Sequence, residues 1–158
     1  MKGYLGKEKE TKDKIKNNWL HTGDIGKFDK DNHLIITDRK KDIIVTSGGD
    51  NIAPQKIENM FTSSDLISHV IIFGDNKPFL IALIFINNDY SKKNEINSEV
   101  DKYLKKINGK LSSTEKIRKY MLINQELNQK SGFLTPTMKI KRKKVYEKYK
   151  KDIEKLYN

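Results

Sequence analysis

Cysteine is absent from the chain. That absence excludes disulfides, thiolate metal sites and thiol nucleophiles, and it leaves the redox compartment unread. Long apolar runs are also missing. None approaches the ~20 residues that span a bilayer. The charged stretch Lys7-Glu8-Lys9-Glu10 stands where a secretory signal would be apolar. There is no Gly-x-x-x-x-Gly-Lys-Ser/Thr phosphate loop and no Gly-x-Ser-x-Gly nucleophile elbow. The three histidines, His21, His33 and His69, are scattered with no two at metal-ligand spacing, so no metal ligand is assigned. No internal repeat or low-complexity linker occurs.

What the chain has in abundance is lysine. Lys and Arg number 32 against 21 Asp and Glu, for a net charge of +11, yet only Arg39, Arg118 and Arg142 are arginine. Sequence-specific nucleic-acid contact leans on arginine forks and stacked aromatics, and here lysines alternate with acids along much of the chain. No nucleic-acid partner is expected. Clustered lysines favour an anionic lipid surface, so the expected location is the cytoplasm, with peripheral membrane contact. A length of 158 residues fits one domain, or a small domain plus a fragment of another.

Local patterns predict an α+β architecture. Residues 3–18 are polar, with Thr11 preceding a short helical stretch. Residues 19–37 read as a strand pair turning at Asp29-Lys30-Asp31-Asn32. Ile43-Ile44-Val45 is β-branched and strand-like. Ser47-Gly48-Gly49-Asp50-Asn51 is a tight turn whose two glycines are free to take positive φ. Pro54 suits the first turn of a helix reaching about Phe61, with Ile57, Met60 and Phe61 at helical spacing. Ile67–Phe73 and Phe79–Ile86 read as paired strands of a central sheet. Residues 95–111 read as an amphipathic helix with Ile96, Val100, Tyr103, Leu104, Ile107 and Leu111 on one face. Ser113-Thr114 could cap a short helix, Tyr120–Ile123 is a third strand, and residues 143–157 form a lysine-rich terminal helix. Met60, Phe61, Phe73 and Phe85 are expected in the core.

Three motifs occur in order: Trp19-Leu20-His21-Thr22-Gly23-Asp24; then Asp38-Arg39-Lys40-Lys41-Asp42-Ile43-Ile44 with Ser47-Gly48-Gly49-Asp50-Asn51-Ile52-Ala53-Pro54; then Leu134-Thr135-Pro136-Thr137-Met138-Lys139-Ile140-Lys141-Arg142. Together they resemble the adenylate-forming superfamily, and the last resembles its long-chain acyl-CoA synthetase branch. The resemblance runs from Gly3 to the terminal helix. It implies that residues 1–37 are the end of a large adenylation domain and that 38–158 are a small mobile lid, preceded by a β-hairpin remnant. Met1-Lys2-Gly3-Tyr4 resembles the middle of a member, so a split gene, a mis-called start or a remnant is expected. The chain alone is then expected not to turn over, with a separately encoded N-terminal half as a candidate partner.

The resemblance also implies roles. Asp24 would hold the ribose of ATP or AMP, as a carboxylate can accept from two hydroxyls. Read alone, Gly-Asp is more often a plain turn. Arg39, a permanent planar charge, would assist at the nucleotide. Asp38 or Lys41 would be the hinge, since one active site must first make an acyl-adenylate and then admit a thiol. Gly48 and Gly49 would line the CoA channel. Lys139 would be the catalytic lysine of adenylation, with Lys141 its rival, and Met138 stands where many members have glycine. Implied substrates are fatty acid, ATP and CoA, with Mg2+ held by a missing N-terminal part. The acyl pocket is not here, so chain length is open. The other reading is a non-enzymatic module with a basic surface for lipid or protein.

Overall fold

The computed structural model describes residues 1–90, 96–125, 127–129 and 131–158, arranged as two compact units, Met1–Ile43 and Ile44–Asn158. In the first unit, α1 (Glu8–Lys14) leads into a small ladder of β1 (Ile15–Lys16) and β2 (Trp19–Leu20). Thr11 lies inside α1 rather than before it. Its Oγ1 donates to the Lys7 carbonyl (2.8 Å) and accepts from the Tyr4 amide (2.9 Å), which ties the incoming chain to the helix. An antiparallel hairpin comes next, β3 (Asp24–Phe28) with β4 (Leu34–Arg39). Its tip is organised by Asp29, whose Oδ1 accepts from the amides of Asp31 and His33, while Asn32 takes φ +62°.

The second unit opens with the short pair β5 (Ile44–Val45) and β6 (Asn51–Ile52) and then α2 (Pro54–Asn59). Ala53 is extended before Pro54, as a residue preceding proline must be, and proline then occupies the first helical turn. The sheet runs β7–β8–β9: β7 (Ile67–Phe73) is antiparallel and β9 (Ile117–Ile123) parallel to the central β8 (Leu80–Ile86). Every residue of β8 is buried, which explains a continuous apolar run where a one-sided strand would alternate. The parallel pairing requires a crossover, which α3 (Ile96–Asn108) supplies.

Period-two alternation sorts the sheet into two cores. Val70, Ile72, Ala82 and Ile84 face α2 and α3, joined by Ile57, Phe61, Val100, Leu104 and Ile107. Ile71, Phe73, Leu83 and Phe85 face the other way, against Phe133, Leu134 and the terminal helix α4 (Arg142–Tyr157) through Val145 and Ile153. Each fully buried aliphatic or aromatic side chain contributes about 1.5–3 kcal/mol. The result is the central sheet with flanking helices that the patterns indicate. No helix among the described residues is long and apolar enough to cross a membrane.

Several local expectations shift. The third strand starts at Ile117, earlier than its apolar part suggests. The amphipathic helix is described from Ile96, and residue 95 lies outside the described residues. Ser113-Thr114 caps no helix. Ser112 instead closes a turn, its amide and Oγ donating to Glu115 Oε2 (3.2 and 3.0 Å). Glu115 is also held by Lys56 at 2.6 Å, and that hydrogen bond lowers its pKa below the usual glutamate value.

Candidate functional site

Within the first unit, β3 and β4 are registered so that Asp24 sits opposite Arg39. Arg39 Nε donates to Asp24 Oδ1 at 3.1 Å, and both side chains reach solvent. The pair therefore offers a carboxylate and a guanidinium side by side, with acceptor and donor capacity to spare for a ligand. Asp38 lies one residue away on β4 and is buried. Its Oδ1 accepts from the Arg39 amide at 2.6 Å, and its Oδ2 has no partner among the described residues. Lys41 is exposed in the turn that Asp42 N closes onto Arg39 O (2.9 Å), two residues before the boundary between the units. The hairpin tip gathers Asp29, Asp31 and His33 with ligand atoms within 4.8 Å, a grouping the spacing of histidines does not reveal. His33 Nδ1 is already engaged with Asp29 Oδ2 at 3.1 Å. The His33 amide helps hold the Asp29 carboxyl below its ordinary range.

In the second unit the remaining candidates sit on two five-residue turns. In the glycine turn, Thr46 N donates to Asp50 O (3.0 Å) and Gly49 N to Thr46 O (2.9 Å), Gly49 has φ +86°, and Asp50 N donates to Thr46 Oγ1 (3.2 Å). In the lysine turn, Thr135 N donates to Lys139 O (2.8 Å) and Met138 N to Thr135 O (2.9 Å), Met138 has φ +61°, and Lys139 N donates to Thr135 Oγ1 (3.0 Å). Both are a tight turn ending on a left-handed residue, the three-residue hairpin connection. Glycine fits the left-handed position without strain, and methionine does not. So Met138 holds a left-handed position that glycine would take without strain.

The glycine turn corrects one expectation. Only Gly49 has positive φ. Gly48 does not, and a Cβ placed there would meet only Asp50 and Thr46 at 3.5 Å or more. The fold needs a glycine at 49 and leaves the one at 48 unexplained. An open cleft of about 280 Å³ adjoins this turn, lined by Thr46, Asp50, Phe79, Ser113, Lys116 and Arg118 among others.

Lys139 is exposed at the end of its turn, its backbone held and its side chain free of ion pairs among the described residues. The base of that turn is closed by a Leu134–Ile140 bridge and by Lys141 N to Phe133 O at 2.7 Å. Lys141 is partly buried, so the two lysines are not equivalent. The residue that the motif reading passes over is Arg142. Its Nη2 reaches both oxygens of Glu58 (2.8 and 2.9 Å) and its Nη1 donates to the Ile72 carbonyl (2.8 Å), while Ile72 N donates to Glu58 Oε1 (2.8 Å). Three residues after Lys139, this fork fastens the turn to α2 and β7. A lysine has no planar fork to make three such bonds. The rarity of arginine was the available signal.

This three-stranded mixed sheet flanked by helices matches the C-terminal domain of adenylate-forming enzymes. The same fold occurs in the adenylation domain of a carboxylate reductase from Mycobacterium chelonae (TM-score 0.86, 24% identity, 98% of this chain and 26% of that one). It also occurs in the A domain of carboxylic acid reductase from Segniliparus rugosus, solved with AMP and a co-purified carboxylic acid (TM-score 0.85, 23% identity, 98% and 26%). The chain belongs to the family described as the AMP-binding enzyme C-terminal domain, whose model matches residues 41–158. Among curated relatives, the long-chain-fatty-acid–CoA ligase FadD15 of Mycobacterium tuberculosis is 38% identical over 99% of this chain. Long-chain-fatty-acid–CoA ligase 6 of Rattus norvegicus is 35% identical over 100% of it. The chain spans 29% and 26% of the length of these two relatives.

Proposed function

We propose that this chain supplies the C-terminal part of an ATP-dependent long-chain fatty acid–CoA ligase. Residues 1–37 complete the large adenylation domain and 38–158 are its lid. The observation that carries the reading is 38% identity to a long-chain-fatty-acid–CoA ligase across nearly the whole chain, all three motifs included.

The reaction has two steps. A fatty-acid carboxylate oxygen attacks the α-phosphorus of ATP, the bond to the bridging oxygen breaks, and pyrophosphate departs, leaving an acyl-adenylate. The sulfur of CoA then attacks the acyl carbonyl, AMP leaves with the electron pair, and the thiol proton passes to solvent. Asp24, with an oxygen free of Arg39, accepts from the ribose hydroxyls, and Arg39 fixes its orientation. Lys139 brings its ammonium to the charge that develops between carboxylate and α-phosphate. Such preorganised donors act most strongly where charge appears in the transition state. Lys41 is the hinge, because an exposed turn at the boundary between units absorbs φ/ψ change more readily than the buried ladder residue Asp38. The backbone at Gly48-Gly49 lines the path of the CoA thiol, and Lys116 and Arg118 in the adjoining cleft suit the phosphates of CoA. Magnesium would be held by residues outside this chain, where it would offset the charge of the ATP phosphates. The reaction takes place in the cytoplasm.

The test is a chimera in which the part of the mycobacterial ligase preceding its matched region is joined to this chain. Long-chain acyl-CoA formed from fatty acid, ATP and CoA, with AMP and pyrophosphate released, supports the reading. A folded chimera that makes neither acyl-adenylate nor thioester overturns it.

A further inference from the structure

We propose that the outward face of α4 is a docking surface for an anionic lipid bilayer. The proposal stands independently of the ligase reading. Seven residues of α4 are exposed: Lys143, Lys144, Glu147, Lys148, Lys150, Lys151 and Lys155. Six are lysine and one is acidic. The opposite face is anchored in the core by Val145 and Ile153, with Tyr146, Tyr149 and Tyr157 packed beside them. The charge is therefore displayed on a rigid element roughly 24 Å long.

A lysine-rich composition by itself does not account for this face, because it acts on every helix alike. In α1, Glu8, Glu10 and Asp13 stand against Lys9, Lys12 and Lys14, with acids in the first turn and bases in the last, as the helix dipole favours. In α3, the exposed Lys102, Lys105 and Lys106 are offset by Glu99 and Asp101. In α4 the first turn breaks that order. Arg142, Lys143 and Lys144 crowd the positive end of the dipole, the first turn has no acid, and Lys141 provides no side-chain cap. Arg142 is matched by Glu58. Among the described residues, Lys143, Lys144, Lys148, Lys150 and Lys151 have no carboxylate within ion-pair distance. Lys144–Lys148 and Lys151–Lys155 add like-charge repulsion at four-residue spacing. Inside the fold this charge is offset only in part, by Gln125 Oε1 and the Phe133 and Tyr149 rings at Lys148 and by Glu154 near Lys150, and the bases left over at the wrong end of the dipole point to an external partner.

The chemistry of the face selects that partner. It carries no arginine fork and no exposed aromatic ring, the groups that grip nucleic-acid phosphates and bases. It carries no exposed apolar side chain either, so nothing on it inserts into a membrane. An array of hydrated point charges matches a fluid surface of phosphate and carboxylate headgroups, where each lysine contributes about a fivefold gain in partitioning. The attraction fades as salt shortens the screening length.

The test uses the whole 158-residue chain in co-sedimentation with phosphatidylcholine vesicles, with and without phosphatidylserine. The expected result is binding only to the anionic vesicles, released at high salt. K144E/K148E/K151E should weaken it by more than roughly a hundredfold. The control K102E/K105E/K106E, of identical net charge, should stay within about threefold of wild type. K144Q/K148Q/K151Q, whose side chains suit a helix equally well, should fall between, and circular dichroism checks that all three variants keep their helices. Equal loss in the two reversal variants, or equal binding to neutral vesicles, would overturn the proposal. So would tighter binding to duplex RNA than to vesicles, lost in the same α4 variant, which would assign the face to nucleic acid.

Discussion

The glycine turn at 46–50 and the lysine turn at 135–139 are one backbone design used twice. Each starts at a threonine whose hydroxyl oxygen accepts from the fifth residue's amide, and each has a left-handed fourth residue. They differ in the side chain at that fourth position and in the residue projected after it. Gly49 takes the conformation freely and leads into Asp50, which turns back to Thr46. Met138 takes it at a cost of about 1–2 kcal/mol and leads into an exposed lysine. Gln129 donates from Nε2 to the Pro136 carbonyl and contacts Met138 Sδ, which helps hold the strained turn. The shared geometry is a scaffold, and the residue projected from it distinguishes the proposed roles.

That contrast can be broken in graded ways. The largest effect is expected from Lys139→Ala in the chimeric ligase. Adenylation measured by pyrophosphate release should fall by about 10²–10³-fold, while thioester formation from supplied acyl-adenylate persists. Equal loss of both steps would remove the distinction between the turns. Next, Gly49→Met should destabilise the second unit by about 1 kcal/mol in denaturant unfolding, a purely conformational cost because a Cβ there meets nothing within 4 Å. Met138→Gly is the mirror experiment and should stabilise by a similar or slightly smaller amount, about 0.5–1 kcal/mol, since glycine relieves the strain but loosens the unfolded chain. Changes of the same sign in the two variants would show that the turns are not equivalent. The smallest effect on stability is expected from Gly48→Ala, within about 0.5 kcal/mol. The same variant should nonetheless slow thioester formation in the chimera, because the fold gives Gly48 no reason to lack a side chain. An unchanged thioester rate would return Gly48 to an ordinary turn residue.

Much of this arrangement is legible in local sequence. The largely apolar run at 67–73, the all-apolar run at 80–86, the helical spacing from Ile96 to Ile107, and the punctuation at Pro54 and Gly48-Gly49 each depend on neighbours in the chain, so pattern identifies them. The parallel placement of Ile117–Ile123 beside β8 is not legible, since partner choice depends on a crossover rather than on the strand itself. Ser113-Thr114 mislead for a related reason: the cap-like bonds are made one residue earlier, between Ser112 and Glu115, and the chain then turns into a strand instead of a helix. The candidate residues were found by motif, yet Arg142 passed as part of a motif without its purpose, because Glu58 and Ile72 lie 84 and 70 positions away. The shared design of the two turns was invisible as well, since methionine at a left-handed position disguises the second copy.

The fork between Arg142 and Glu58 has a consequence outside catalysis. Among the described residues β7 pairs with β8 alone, so Ile72 presents its N–H and C=O along an open sheet edge, where a strand from another molecule could add. Glu58 accepts from that N–H and Arg142 donates to that C=O, standing in for the missing strand. Removing the guanidinium exposes a β-branched, apolar edge, Val70-Ile71-Ile72, to intermolecular pairing. The failure mode expected of such a variant is self-association during folding, which makes this arginine a guard on the β7 edge.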